Sequence, residues 1–250
     1  MPFRVRRVPE TGSTNADVLA AAVAGEPEGL VVVAGAQSAG RGRLGRSWVS
    51  PPGGGLWMSV LLRPGEAPDQ VPVARFGWLP LLAGVALAAA VRDVAGVDVA
   101  VKWPNDLLVK DAKCAGILAE ATATGAIALG MGLNTGLTQE QLPPTPTGLP
   151  ATSLRLAGAS TVDNDVLLAA LLDDLGGWYA RWKAVAGDPE ASGLREAYLE
   201  VCGTVGRQVR AILPDGAEIQ GVATTVDRDG RLVVGDRPVA AGDVVHLRGT

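Results

Sequence analysis

The sequence predicts an α+β protein in two units: a larger domain whose mixed, largely antiparallel sheet packs with helices, and a small C-terminal β-barrel. Its 250 residues are 48% hydrophobic with a formal net charge of −4, which is typical of a globular chain. Short apolar runs joined by short turns predict antiparallel neighbours. Beyond Val201, turn signals recur at roughly ten-residue spacing, which indicates a barrel. We therefore place the boundary near Thr204, giving domains 1–203 and 204–250.

Apolar periodicity and capping residues predict four helices. Ser13, Thr14 or Asn15 can cap the first, at 16–24. The second, at 77–94, contains an uncharged stretch shorter than the roughly twenty residues of a membrane span, so we expect a buried helix. The remaining two are predicted at 163–185 and 192–201, after a proline-rich loop at 142–150.

Strands are predicted at 30–34, 57–62, 97–101, 107–109, 117–121 and 126–130 in the larger domain, and at 209–213, 219–226, 232–234 and 244–247 in the smaller one.

A glycine-rich segment with three arginines, Gly-Arg-Gly-Arg-Leu-Gly-Arg-Ser-Trp at 40–48, follows the first of these strands. Glycine lets a backbone approach a ligand, and arginine binds carboxylate or phosphate with a fork of donors. The segment also fits Gly-x-Gly-x-x-Gly, but it runs into prolines and glycines at 51–55 instead of a helix, which argues against a dinucleotide-binding turn. We predict an anion-binding loop, with a solvated basic loop as the alternative.

Three further polar features interrupt apolar strands. Lys-Trp-Pro-Asn-Asp at 102–106 suits a phosphate or a phosphate-bound magnesium, or is a turn with a buried ion pair. Lys113 opens a strand and is either a ligand-binding lysine or a solvated one. Gly-Met-Gly-Leu-Asn at 130–134 offers bare backbone to a flat ligand, or is a bulge.

Several classes of protein are excluded or disfavoured. A single histidine, His246, argues against a Ser-His-Asp triad or a multi-histidine zinc site. The acidic net charge disfavours nucleic-acid binding. No signal-peptide core is evident, so we expect a cytoplasmic protein, and Cys114 and Cys202 as reduced thiols, with Cys114 a buried hydrophobe.

Five motifs, in order along the chain, resemble those of the biotin protein ligases. They are Ser13-Thr14-Asn15, Gln37 with 40–48, 102–106, Lys-Cys-Ala-Gly-Ile-Leu at 113–118, and 130–134. One motif alone would be weak, whereas five in register are specific. The resemblance implies a class II synthetase-like catalytic domain followed by an SH3-like C-terminal domain.

The resemblance implies a two-step reaction with ATP and Mg²⁺ as co-substrates and biotin as substrate. The biotin carboxylate attacks the α-phosphate of ATP, giving biotinyl-5′-AMP and pyrophosphate. The ε-amine of an acceptor lysine, in a biotin carboxyl carrier domain of an acyl-CoA or pyruvate carboxylase, then displaces AMP. Such a protein must chiefly position anions and neutralise developing charge.

Site roles also follow from the resemblance. The implied biotin-binding residues are Ser13, Thr14, Asn15, Gln37, Gly40, Arg41, Gly42, Arg43, Lys113 and Gly116. The implied ATP- or adenylate-binding residues are Arg46, Trp48, Lys102, Asn105, Asp106, Gly132 and Asn134. Lys113, Arg41 and Arg43 are the implied catalytic groups, Asp106 is an implied magnesium ligand, and Trp48 is expected to enclose the adenine. The loop is expected to order only when ligand arrives.

Two alternatives of other kinds stay open: a lipoate-type ligase on the same scaffold, and a non-catalytic module that binds biotin or nucleotide. Because Ser13-Thr14-Asn15 comes so early, an N-terminal DNA-binding domain is not expected, and neither DNA nor a membrane is expected as a partner. We expect a monomer or a weak dimer.

Overall fold

The computed structural model describes residues 2–143, 149–160 and 162–247, so part of the predicted proline-rich loop lies outside the described residues. The helices are α1 (Thr14–Val23), α2 (Leu79–Ala90), α3 (Asn164–Ala184) and α4 (Leu194–Val201). The strands of the larger domain are β1 (Arg4–Val8), β2 (Leu30–Ala34), β3 (Gly55–Leu62), β4 (Ala100–Lys102), β5 (Asp106–Val109), β6 (Ala112–Ala121) and β7 (Ile127–Asn134). Those of the smaller domain are β8 (Gln208–Ile212), β9 (Glu218–Val226), β10 (Leu232–Val234), β11 (Arg237–Val239) and β12 (Asp243–His246).

The larger domain is built on a seven-stranded mixed sheet in the order β1-β2-β3-β7-β6-β5-β4. β1 pairs with β2 in parallel, and the other described pairings are antiparallel. β3 pairs with β7 without a break from Gly55↔Asn134 to Leu62↔Ile127. The predicted α+β class and the antiparallel neighbours are therefore confirmed.

Helices cover the sheet on both faces. Val18 and Ala22 of α1 pack against Leu30 and Val32 on one face, whereas α2 and α3 lie in the larger core on the other face. A strand covered on both faces reads as a continuous apolar run instead of an alternating one, and β3 is buried at all its positions. The central strands can therefore carry a polar side chain only where a partner is provided.

The helical segment Val73–Ala95 is long and apolar enough, by length and composition, to cross a membrane, but 61% of its most apolar window is buried inside this fold. Its α-helical part, α2, is flanked by a 3₁₀ segment at Val73–Trp78 and a π-turn at Val91–Ala95. Because the core helix of a globular domain has the same composition, the burial favours the core interpretation.

Several boundaries differ from the sequence-based ones. β1 was not predicted, because three arginines among the five residues of an exposed edge strand leave no apolar run. β4 is shorter than predicted and lies later, and β6 begins at Ala112 instead of Ile117. The turn before β6 is consequently tighter, with Lys110 at φ 54°. β11, a three-residue strand containing a proline, was also missed.

The smaller domain is an antiparallel sheet in the order β11-β10-β9-β8-β12, which confirms a C-terminal β unit. Two buried tryptophans of the larger domain anchor it. Trp78 Nε1 donates to the carbonyl of Arg228 at 2.9 Å, and Trp103 Nε1 donates to that of Gly230 at 3.0 Å. The Trp103 amide also donates to Thr204 Oγ1 at 3.0 Å. The two domains are thereby held in a fixed contact beside the 102–106 segment.

Candidate active site

One cavity of about 330 Å³ gathers the residues that the sequence singled out. It lies over β6 and β7, below the arginine-rich loop at 40–48, and it reaches the smaller domain. Gly40 does not line it, but every other predicted site residue does: Ser13, Thr14, Asn15, Gln37, Arg41, Gly42, Arg43, Arg46, Trp48, Lys102, Asn105, Asp106, Lys113, Gly116, Gly132 and Asn134. Motifs far apart in sequence thus meet in one site.

The neutral end of the cavity is formed by the start of α1 and by Gln37. The Thr14 amide donates to Gln37 Oε1 at 2.9 Å, and Gln37 Nε2 donates to Ser50 Oγ at 2.8 Å. Ser13 is the N-cap of α1 but makes no side-chain capping bond, so its hydroxyl is not committed to the helix. These groups offer neutral donors and acceptors of the kind that bind an uncharged polar ligand head.

Asn15 is held on both sides by the protein. Ser59 Oγ donates to its Oδ1 at 2.6 Å, and its Nδ2 donates to Glu120 Oε2 at 2.7 Å. A Cβ at Gly130 would collide with Asn15 Oδ1, so this position requires glycine. The Asn15 amide therefore acts as an internal connection between α1, β3 and β6.

The arginine-rich loop closes on itself through its backbone. The Gly42 amide donates to the carbonyl of Arg46 at 2.7 Å, and the Trp48 amide donates to that of Gly40 at 2.8 Å. Its helical content is one 3₁₀ turn, Arg43–Gly45, with Leu44 at φ 56°. A Cβ at Gly40 would lie 2.5 Å from the Trp48 carbonyl oxygen. Gly40 thus permits the loop's close approach without lining the cavity.

Each arginine of the loop already has a protein partner. Arg41 Nη1 lies 3.7 Å from Glu120 Oε1, and Arg46 forms an ion pair with Asp243. Arg43 donates to Asn105 Oδ1 at 3.1 Å and to the carbonyl of Gly242 at 3.3 Å. Burial lowers the pKa of Arg43, against the opposing effect of Asp243. The loop therefore has protein contacts of its own, and the expectation that it orders only when ligand arrives stays a prediction.

Asp106 forms ion pairs with two lysines at the base of the cavity. Lys113 Nζ lies 2.6 Å from Asp106 Oδ1, and Lys102 Nζ lies 3.7 Å from Oδ2. Burial lowers the pKa of Lys102, and the attraction of Asp106 opposes that shift. The segment 102–106 thus contains the expected ion pair, which Lys113 joins, and the interpretation of the segment as a phosphate site stays a prediction. This end of the cavity is cationic, as anion binding needs.

Within the described ranges, no group of three or more His, Cys, Asp and Glu side chains lies together in a way that suits a metal ion. Two lysines already neutralise the Asp106 carboxylate. The residues present therefore do not form a resident magnesium site, and the assignment of Asp106 as a metal ligand does not fit them.

Trp48 lies flat over glycines of β6 and β7. A Cβ at Gly132 would lie 2.5 Å from Trp48 Nε1, and one at Gly116 would lie 3.0 Å from Trp48 Cζ3. Lys113 Nζ is 5.3 Å from the centre of the indole. β7 pairs with β3 in unbroken register through these positions, so the alternative of a bulge at 130–134 is wrong. The glycines instead make room for an aromatic ring.

Asn134 and Cys114 are occupied by internal contacts at the far end of β7. Asn134 Nδ2 donates to the carbonyl of Thr152 at 3.0 Å, and the Cys114 thiol donates to the Asn134 carbonyl at 3.5 Å. Burial raises the pKa of Cys114 to about 12. The prediction of a free, buried Cys114 is confirmed, and Cys202 is a free, half-buried thiol.

Sequence reasoning missed three features that border or support the cavity: Ser59, Glu120 and the segment at the start of β12 with Gly242 and Asp243. Ser59 has a signal in the sequence, since it is a polar residue inside an otherwise apolar strand. Glu120 lies near the end of β6, where an exposed charge is ordinary. The turn before β12 reaches the cavity from the other domain, and nothing in its local sequence indicates that.

Comparisons with known proteins identify the family. Residues 8–135 match the model of the Biotin/lipoate A/B protein ligase family, and residues 204–247 match the Biotin protein ligase C terminal domain. The chain is 39% identical to a biotin-acetyl-CoA-carboxylase ligase of Mycobacterium tuberculosis, across 96% of this chain and 88% of that protein. This chain belongs to the biotin protein ligase family.

Two further relatives extend the comparison. The bifunctional ligase/repressor BirA of Escherichia coli is 33% identical over 82% of this biotin protein ligase family member, and the alignment spans 61% of BirA. A biotin protein ligase of Aquifex aeolicus, solved in complex with biotin and ATP, superposes with a TM-score of 0.77 at 22% identity, covering 98% of this chain and 99% of that one. At that identity the likeness supports the fold.

Proposed function

We propose that this protein is an ATP-dependent biotin protein ligase, which converts biotin to biotinyl-5′-AMP with release of pyrophosphate and then transfers biotin to a lysine of a biotin carboxyl carrier domain. The observation that carries the proposal is that one cavity gathers both kinds of group. It joins neutral polar groups at Thr14 and Gln37 to cationic groups at Arg43, Lys102 and Lys113. Biotin with a triphosphate has the same division into a neutral head and an anionic end.

The chemistry of adenylation suits this set of groups. The biotin carboxylate attacks the α-phosphorus of ATP, an O–P bond forms, and the bond to pyrophosphate breaks. A carboxylate is already deprotonated, so the step needs no general base, and charge on the transferring phosphate must be stabilised. Lys113, which lies in the cavity beside Asp106, is our candidate for that role, together with Arg41 and Arg43.

We assign the neutral end of the cavity to biotin. Ser13 has an uncommitted hydroxyl, and Thr14 and Gln37 are bonded to each other. Gly42 and Gly116 line the cavity, and Gly40 lets the loop close over it. We assign Asn15 to the wall of this pocket and not to the ligand, because its polar atoms already have protein partners.

We assign the cationic end to ATP and the adenylate. Arg46 and Lys102 suit phosphate oxygens. The Trp48 ring over Gly132 suits enclosure of the adenine, and Asn105 orients Arg43. Asn134 lines the cavity, but its amide donates to Thr152, so we assign it only a wall position. Magnesium enters this scheme with the triphosphate, as part of the co-substrate.

The proposed acceptor is a carrier domain of a carboxylase. A relative named for acetyl-CoA carboxylase supports a carboxylase carrier domain as the partner. We further propose a cytoplasmic protein, monomeric or weakly dimeric, that binds neither DNA nor a membrane. The domain boundary proposed at residues 203 and 204 is supported by the family match that begins at residue 204.

The test is biotin-dependent exchange of labelled pyrophosphate into ATP, with lipoate as the comparison acid. Wild type is expected to catalyse exchange with biotin and not with lipoate. Lys113→Ala removes a charge at the transferring phosphate and is expected to lower the exchange rate by about a hundredfold or more.

The matched control is Lys110→Ala, at an exposed turn outside the cavity, which should exchange as wild type does. Exchange with lipoate and not with biotin would indicate a lipoate ligase. Biotin binding without any exchange would leave a binding module and would contradict the proposal.

A further inference from the structure

Glu120 is a half-buried carboxylate on β6 beside the arginine-rich loop, with 28% of its side chain exposed. Its Oε2 accepts a hydrogen bond from Asn15 Nδ2 at 2.7 Å. Its other oxygen, Oε1, lies 3.7 Å from Arg41 Nη1. The two oxygens of one carboxylate therefore connect the start of α1 to the loop.

Glu120 lies outside the cavity proposed to bind substrate. It lines a second hollow, of about 420 Å³, together with residues 41–46 and Leu118. Arg41 lines both hollows. A carboxylate in this place is not positioned to contact a ligand in the main cavity, but it does contact the arginine that borders it.

The support behind Glu120 is rigid. Asn15 Nδ2 donates also to the carbonyl of Leu118 at 3.3 Å, and Asn15 Oδ1 accepts from Ser59 Oγ at 2.6 Å. Ser59 is completely buried on β3, and its hydroxyl lies 2.7 Å from Thr14 Oγ1. Because these side chains hydrogen-bond to one another, the side-chain amide of Asn15, which donates to Glu120, has one orientation.

Arg41 is less constrained than Glu120. Its side chain is 56% exposed, and in the described part of the chain its ion-pair partner is Glu120. A long, exposed guanidinium without an anchor samples many rotamers, and a ligand that needs one of them must restrict the others on binding. A fixed carboxylate beside Arg41 already restricts its rotamers, so the ligand has fewer of them to restrict on binding.

We propose that Glu120 is a positioning residue that holds the Arg41 guanidinium at the cavity, with Asn15 as the fixed support of the Glu120 carboxylate. The inference rests on the proposed function, in which Arg41 is one of the cations at the reacting groups, and it places Arg41 beside the biotin carboxylate that attacks the phosphate. Placing Arg41 before biotin arrives strengthens biotin binding, since a pre-organised cation loses less freedom when the anion binds.

The test is Glu120→Gln in the full chain, measured by biotin-dependent pyrophosphate exchange. Glutamine keeps an oxygen that accepts from Asn15 but has no charge to pair with Arg41. The KM for biotin is expected to rise about five- to tenfold while the KM for ATP changes less than about twofold. The thermal unfolding midpoint should equal that of wild type. Glu200→Gln, the same change at an exposed position of α4, should leave both KM values and the thermal unfolding midpoint unchanged.

A double-mutant cycle separates positioning from a general structural effect. If Glu120 acts through Arg41, adding Glu120→Gln to Arg41→Ala should produce no further rise in the KM for biotin. An unchanged or lowered KM in the single variant, or an equal rise in the Arg41→Ala background, would overturn the inference. Absence of exchange in wild type would instead contradict the proposed function, so the two failures are distinguishable.

Discussion

Gly132 allows the indole of Trp48 to lie against β7. A Cβ there would lie 2.5 Å from Trp48 Nε1, and β7 cannot move away because it is paired with β3 on one side and β6 on the other. Gly132→Ala is therefore expected to displace Trp48 and to raise the KM for ATP by about tenfold or more, with a smaller effect on biotin. Pyrophosphate exchange at varied ATP measures this.

The control for that substitution is Gly177→Ala in α3, where nothing lies within 4 Å of the added carbon. It is expected to leave both KM values unchanged. If Gly132→Ala binds ATP as wild type does, the assignment of Trp48 and Gly132 to the adenine side is wrong.

Among individual residues, the sequence identified those whose type is unusual for their neighbours along the chain. Lys102, Asp106 and Lys113 are charged residues next to apolar strands, and they meet in one ion-pair cluster. Glu120 was not identified, because a carboxylate near the end of a strand is ordinary until its partner is known. Its significance depends on Asn15, more than a hundred positions away.

The arginine-rich loop depends on a turn from the other domain. Arg46 pairs with Asp243, and Arg43 donates to the Gly242 carbonyl. Asp243→Ala leaves Arg46 without its partner and should raise the KM for ATP by about three- to tenfold, with the KM for biotin unchanged. Asp236→Ala, at an exposed position of the same domain, is the control. A lower KM for ATP in Asp243→Ala would show that Asp243 competes with phosphate for Arg46 instead of holding it.

Elements with a clear apolar pattern were predictable from the sequence, and short or exposed ones were not. α3 was expected at 163–185 and is Asn164–Ala184, because heptad-like leucines mark its buried face. β1 was missed, since three of its five residues are arginines and its partner β2 supplies the pairing. β1 is a strand because it pairs with β2, and the sequence of the segment alone does not encode that pairing.

The two domains meet at a junction that includes the single histidine. His246 Nε2 lies 3.0 Å from Thr204 Oγ1, which accepts from the Trp103 amide. Burial lowers the pKa of His246 to about 4, and the charges of Lys102 and Arg207 add to that shift. The folded protein therefore favours the neutral ring.

That shift predicts a pH dependence of stability. Below the ordinary histidine pKa near 6.5, the unfolded chain takes up a proton that the folded chain takes up only near pH 4. His246 should therefore lower the free energy of unfolding as pH falls through this window, by at most about 1.4 kcal/mol for each pH unit. Urea unfolding at several pH values, compared between wild type and His246→Gln, measures it. An equally steep loss in His246→Gln would assign the effect to other groups.

The relative placement of the domains could not be predicted from the sequence. Turn spacing predicted a β unit after Val201, and this is where β8 to β12 lie. The contacts that orient this unit, such as Trp78 with Arg228 and Trp103 with Gly230, join a side chain to a backbone carbonyl. Every residue has a backbone carbonyl, so no residue type indicates which carbonyl accepts a hydrogen bond from a distant tryptophan.

Because burial slows the reaction of both native thiols, a cysteine introduced in the arginine-rich loop can be labelled selectively. Cys114 is completely buried with a raised pKa, and burial also raises the pKa of Cys202, so both react slowly with reagents that need a thiolate. Leu44 projects from the arginine-rich loop with 64% of its surface exposed. A cysteine introduced there would take up a maleimide dye well before either native thiol. Fluorescence from that dye would then follow the loop in real time as biotin and ATP are added.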